Sequence, residues 1–155
     1  MANEIKSKWA AKADFTITLA SLGNAAGRQS TMLANASPSN ARVKISAKIT
    51  TNNGSNPTQY STVDFYLLRG NAGSPTVVTD GAGASDAAIT VANATPVGSI
   101  LITTTNQSTA YQADFMVEDV GIYWGIAVVN RTGQALHSTA GNHVVTYEYM
   151  NPEVQ

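Results

Sequence analysis

Cysteine is absent from this 155-residue chain, so neither disulfides nor thiolate-bound metal can hold it together. Charge is scarce as well: Asp, Glu, Lys and Arg make up 12% of the residues, against roughly 25% in an average soluble domain. No stretch approaches the roughly 20 apolar residues of a membrane-spanning helix. The N-terminal "MANEIKSKWAAKADF" carries no apolar run behind its charges, so no secretory signal is expected and the chain reads as cytosolic when made. Helical periodicity does not persist beyond a turn or two outside the first dozen residues. These absences exclude a disulfide scaffold, a helical bundle and a helical membrane protein.

What fills the sequence instead is 43% hydrophobic residues together with Thr, Ser, Asn, Gln and Gly. Hydroxyls and amides cost less to desolvate than ions. A polar, weakly charged surface of this kind suits a protein that lives in an assembly or one that touches sugars. Period-two alternation dominates the chain. "DFTITLAS" sets Phe15, Ile17 and Leu19 on one face, and "RVKISAKIT" does the same with Val43, Ile45, Ala47 and Ile49. "TVDFYLLRG", "SILITTTN", "YQADFMVED", "GIYWGIAVVN" and "HVVTYEYM" repeat the pattern, the sixth placing Ile122, Trp124, Ile126 and Val128 together. Turn signals separate them: "TNNGSNP", "RGNAGSP", "TDGAGAS", "NATPVG", "EDVG", "NRTG" and "TAGN". Short alternating strands punctuated in this way predict an all-β fold, an antiparallel, jelly-roll-like β-sandwich. Residues 14–155 form its single domain, and residues 1–13 an extended N-terminal arm whose Trp9 docks either on the domain's own edge or on a neighbouring subunit.

Charge is unevenly distributed along the chain. Lys6, Lys8, Lys12, Arg28, Arg42, Lys44 and Lys48 face only Glu4 and Asp14 in the first 50 residues, whereas Arg69 and Arg131 face eight acids in the remainder. Such asymmetry fits complementary faces that meet between subunits. The basic residues alternate along strands with few aromatics between them, which is not the footprint of a nucleic-acid binder.

Candidate chemistry is sparse. "TDGAGASDAAIT" (79–90) resembles a ligand loop, but no Lys or Arg lies between Arg69 and Arg131 to meet a phosphate. Asp80 and Asp86 are too few for a calcium loop. A structural turn is expected, with Gly81 and Gly83 supplying permissive backbone and the aspartates bonding nearby amides. His137 and His143 could meet across a hairpin, yet no third metal ligand is evident. Adjacent Glu118 and Asp119 do not make a glycosidase pair, and no nucleophile elbow is present. Neither an enzyme nor a cofactor is expected. Exposed Tyr60, Tyr66 and Tyr123 among Asn-rich loops are the candidate sugar contacts; Trp124 belongs to the core by alternation.

At "GRQST" (27–31), "FYLLRGN" (65–71), "TDGAGASDAA" (79–88), "YWGIAVVNRTG" (123–133) and "GNHVVTYEYMNPE" (141–153) the chain resembles small structural proteins of tailed bacteriophages. The resemblance implies a non-enzymatic virion β-sandwich, made in the host bacterial cytoplasm, that decorates or stabilises the capsid or forms part of the tail. Expected partners are other virion proteins and further copies of the chain, with no membrane or nucleic acid. The alternative is a tail-fibre module that binds a host surface glycan. Expected partner contacts are Lys6, Lys8, Trp9 and Lys12 on the arm, and Asp80, Gly81, Gly83 and Asp86 in the small-residue loop.

Overall fold

The alternation of "RVKISAKIT" is realised as strand β5 (Arg42–Thr50), in which Val43, Ile45, Ala47 and Ile49 are buried and the residues between them face outward. In a computed structural model describing residues 5–35, 42–71, 74–81 and 83–154, it is one of twelve strands. The others are β1 (Ile5–Trp9), β2 (Ala13–Asp14), β3 (Gly27–Gln29), β4 (Leu33–Ala34), β6 (Thr62–Asn71), β7 (Ser74–Val78), β8 (Ala87–Ile89), β9 (Thr95–Leu101), β10 (Ala110–Glu118), β11 (Tyr123–Asn130) and β12 (Val144–Val154).

They form two antiparallel sheets. The first runs β1-β12-β5-β10, with β2 also on β12; the second runs β7-β6-β11-β3-β8, with β9 on β6 and β4 on β11. Chain from β10 through β12 passes from sheet to sheet at every turn, as in a jelly roll. The inner faces share one core: Val43, Ile45, Ile49, Val117 and Val145 meet Val63, Phe65, Leu67, Trp124, Ile126 and Val128. Full burial of each such side chain is worth about 1.5–3 kcal/mol. At one end Trp124 stacks edge-on against Phe15, Tyr147 and Tyr149, and its indole N–H donates to the Tyr149 hydroxyl at 2.9 Å. That bond lets a polar N–H sit in a dry core. Trp124 is therefore core, as alternation predicts.

Two local expectations are corrected. "DFTITLAS" is not a strand beyond Ala13–Asp14, although Phe15 and Leu19 are buried. The segment spans from one sheet to the other, bonding Val145 O through the Phe15 N–H and giving Thr16 O to the Thr31 N–H; alternate burial survives there without a ladder. Ile122, expected beside Trp124, is 56% exposed. Gly121 has a φ of 82°, a conformation that breaks the register before β11 begins.

The second sheet is also covered on its outer face. β7 and β9 lie on the far side of β6, while β8 lies on the far side of β3, so the chain crosses the sheet going to β8 and again returning from it. Residues 79–81 and 83–94 thus form a strap. Beneath it Leu68, Ala127, Val78, Ile89, Ala94 and Met32 make a second, smaller cluster, with Tyr66, Val91 and Tyr123 at its margin. This explains why β11 is buried on both faces from Trp124 onward.

Candidate functional site

The stretch "TDGAGASDAAIT" is the outgoing half of the strap together with β8. Asp80 holds the outgoing and returning crossings together. Its carboxylate accepts backbone N–H groups from Ala92 at 3.1 Å, Asn93 at 2.9 Å and Ala94 at 3.0 Å. Burial opposes its charge, but these donors and the Asn93 amide outweigh that and hold the carboxyl below the usual aspartate range. Asp80 itself has a φ of 64°, a left-handed conformation that Asp tolerates better than most residues.

Asp86 anchors the far end to Arg28 and Thr18. Burial again opposes the charge, and the Arg28 and Thr18 hydrogen bonds again lower the pKa. Between them, Gln29 Nε2 donates to the carbonyls of Gly83 (2.9 Å) and Ser85 (2.6 Å), and the Met32 N–H to Ala84 O (2.9 Å). Where the strap ends in β8 the backbones lie close: a Cβ on Gly27 of β3 would run into Ile89 O. The backbone that approaches this thin stretch is the chain's own, and both carboxylates are engaged by it. Gly81 closes the short turn Thr79–Gly81, and Gly83 has a φ of 82°.

The N-terminal segment is extended, and from Ile5 to Trp9 it is paired with β12 from Val154 to Met150. Residues 1–4 lie outside the described residues. Lys6, Lys8 and Lys12 are exposed on it. Trp9 is 45% exposed and takes Lys44 Nζ 5.5 Å from its ring centroid, so it sits on its own sheet. Lys12 lies over the outer face of that sheet, lining a groove of about 250 Å³ with Lys48, Gln112 and Asp114.

The charge asymmetry of the sequence resolves largely into cross-strand pairs. Basic β5 lies between acidic β10 and β12, giving Arg42–Glu118 at 3.0 Å and Lys44–Glu148 at 2.9 Å. Glu118 thus sits at one end of β5. His143 sits at the other: its Nδ1 accepts the Thr50 N–H (3.4 Å) and its Nε2 donates to His137 O (2.9 Å). Burial pushes its pKa down; the hydrogen bond to the His137 carbonyl opposes this, the His137 and Lys48 charges add to it, and the net shift favours the neutral ring. The two histidines do meet, through a ring and a carbonyl. Eight residues of β5 separate them from Glu118 and Asp119, about 26 Å at strand rise. Among the described residues no three His, Asp or Glu side chains gather as a metal site.

The three candidate tyrosines are dispersed. Tyr66 and Tyr123 point outward, as alternation predicts, but the strap leaves them half-buried; Arg131, paired with Asp64 at 2.7 Å, lies beside Tyr66. Tyr60 lies below them at the end of the sandwich, 71% exposed. That lower end gathers the loops 51–61, 102–109 and 131–143. Thr58 N–H donates to Thr132 O, Ser108 N–H to Asn52 O, and Asn52 Nδ2 to Ala135 O. A second feature escapes a reading by residue type: β10 matches β5 in unbroken register over nine residues, and no strand pairs with its other edge among the described residues. Only the missing charge of the lower loops was visible in the sequence; the free edge depends on pairing.

No family model matches the chain, and no curated protein matches it. Among solved structures, the CBM22-1 xylan-binding domain from Paenibacillus barcinonensis Xyn10C is similar to it at 13% identity, over 99% of this chain and 84% of that one, with a TM-score of 0.30. So distant a likeness bears on neither family nor function.

Proposed function

We propose that the chain is a non-enzymatic structural protein of a bacteriophage virion, acting through subunit contacts that decorate or stabilise the capsid or build part of the tail. The stretches that resemble phage structural proteins support the setting. The observation that carries the mode of action is the edge of β10. Proteins blunt long free edges with proline, bulges or covering segments, because unpaired N–H and C=O groups recruit another strand. Over Ala110–Glu118 β10 carries no proline and no register shift; β9 of the other sheet lies beside it, with Gly98 against the Phe115 ring, but β9 pairs with β6, and among the described residues no strand pairs with this edge of β10. Its inward residues Tyr111, Ala113 and Phe115 are only half-buried, and Met116 is 53% exposed. A strand from another subunit would pair with the edge and close this side of the core.

Gln112→Lys with Met116→Lys places charge on that edge at exposed positions. The expected result is a chain folded as the parent by circular dichroism but missing from purified phage particles by mass spectrometry. Incorporation at the parental level would overturn the edge as the contact. The substitution discriminates better than removal of residues 2–12, since that deletion strips an edge strand from the chain's own sheet.

A further inference from the structure

The lower end of the sandwich differs from the rest of the surface in chemistry. No Lys, Arg, Asp or Glu occurs between Ile49 and Val63, between Ala87 and Ala113, or between Thr132 and Tyr147. The loops that meet there therefore present carboxamides, hydroxyls and backbone, with the half-buried imidazoles of His137 and His143 on one of them and Arg131 at the border. Asn53, Asn56, Thr58, Gln59, Thr103 and Gln107 are all exposed. From this neutral ground one aromatic side chain, Tyr60, stands 71% exposed.

Its presentation is fixed. Tyr60 has a φ of 63°, which a bulky side chain seldom adopts. The backbone is clamped on both sides: the Tyr60 N–H donates to Ile102 O at 2.7 Å, and the Ile102 N–H to Ser61 O at 2.9 Å. Gln59 Nε2 reaches Thr103 O at 2.9 Å, and Gln107 Nε2 reaches Asn56 Oδ1 at 3.0 Å, which ties the two loops together. Each of these amides keeps a further hydrogen-bonding atom, the Gln59 Oε1 acceptor and the Asn56 Nδ2 donors among them. Left-handed backbone at a large side chain persists only where surroundings hold it, and such strain accumulates where a group must be displayed.

We propose that this end is a binding platform for a neutral oligosaccharide, with the Tyr60 ring under the apolar C–H face of a sugar and Gln59 and Asn56 bonding its hydroxyls. The scarcity of charge argues against a phosphate, a uronate or a basic peptide: Arg131 and Asp64 at the border are paired with each other at 2.7 Å, and the loops themselves carry no Lys, Arg, Asp or Glu. A protein partner is less suited, since protein hot spots need a contiguous apolar centre to exclude water, and Tyr60 stands among polar groups. The platform is distinct from the β10 edge, so assembly and binding can fail separately.

The test uses the isotope-labelled chain titrated with malto-, cello-, xylo- and manno-hexaose, with hexagalacturonate as the anionic control. At least one neutral hexaose is expected to shift the amides of residues 53–61 and 102–109 in a saturable manner. Tyr60→Phe should bind within about threefold of the parent, and Tyr60→Gly at least about tenfold more weakly. Because glycine accepts the left-handed backbone, Tyr60→Gly should fold at least as well as the parent, which keeps lost binding separate from lost structure. Affinity should be unchanged in about 0.5 M NaCl. The proposal is overturned if no neutral hexaose shifts these amides at roughly 10 mM. It fails equally if the shifts centre on Tyr66 and Tyr123, if hexagalacturonate binds better, if Tyr60→Gly binds as the parent does, or if the loops respond only to a protein partner.

Discussion

The second sheet has two covered faces, and they are held in different ways. Its inner face meets the other sheet through large side chains, with Phe65, Trp124 and Ile126 fully buried. Its outer face is covered by the strap over a thin layer of Leu68, Ala127, Val78 and Ile89. Polar ties complete it, through Asp80 to three backbone amides, Gln29 to two carbonyls and Asp86 to Arg28. Large apolar surface gives cooperative stability to a whole domain, whereas a few hydrogen bonds hold one segment that can open alone.

The largest expected effect is on the inner face. Trp124→Ala opens a cavity among Phe15, Tyr147 and Tyr149 and leaves the Tyr149 hydroxyl without its donor. A loss of about 3–5 kcal/mol is expected, read from urea unfolding, with both sheets destabilised together. A loss confined to one sheet would break the comparison.

Asp80→Ala should act next in size and only locally. Three amides lose their acceptor while the apolar layer stays, costing about 1–3 kcal/mol. Hydrogen exchange at Ala92, Asn93 and Ala94 should accelerate while the Trp124 indole N–H stays protected. Equal acceleration at both places would mean that strap and core are one unit.

How far this contrast was legible depends on strand length. β5, β10, β11 and β12 run for eight to eleven residues, long enough for period-two alternation to show which residues face inward, and the departure is Ile122, just ahead of β11. β3, β4 and β8 are three residues or fewer, shorter than any pattern, and exist because neighbouring strands offer them bonds. The strap reads as a turn because what holds it is long-range, Asp80 to the amides of the returning crossing and Gln29 to the carbonyls of Gly83 and Ser85, and no local pattern encodes such partners. For the same reason the outward direction of Tyr66 and Tyr123 was readable and their partial burial was not. The charge asymmetry was visible, but whether Arg42 meets Glu118 in its own chain or in another depends on sheet order, which no local pattern encodes.

Acid and alkali should separate the two faces. Asp80 and Asp86 have depressed pKa values, so their contribution is present above the unfolded value of about 3.9 and is lost as pH falls through the folded one. Strap amides should therefore lose protection at acid pH before the core does. Tyr147 is shifted upward by burial; Tyr149 is raised by burial too, with the Trp124 bond opposing and Tyr147 adding. Their stabilising effect is complete below about pH 10 and disappears as pH rises towards the folded values. Alkali should thus loosen the core directly. Simultaneous loss at both extremes, followed by strap amides and by tyrosine absorbance, would contradict separate supports.

The smallest effect should come from Glu118→Gln, which shows what a carboxylate is worth without backbone to hold. Glu118 meets Arg42 at 3.0 Å, but both side chains are more than half exposed, at 69% and 54%. An ion pair so wet is screened by solvent and salt, and its loss should cost no more than about 0.5 kcal/mol. Asp80 has no cation beside it in its hydrogen bonds, only amides, yet its removal should cost several times more. A Glu118→Gln loss equal to that of Asp80→Ala would show that paired charge, and not capture of backbone N–H groups, sets the strength of these ties. Equal unfolding midpoints for Glu118→Gln and the parent would place the carboxylate's value in the amides it satisfies.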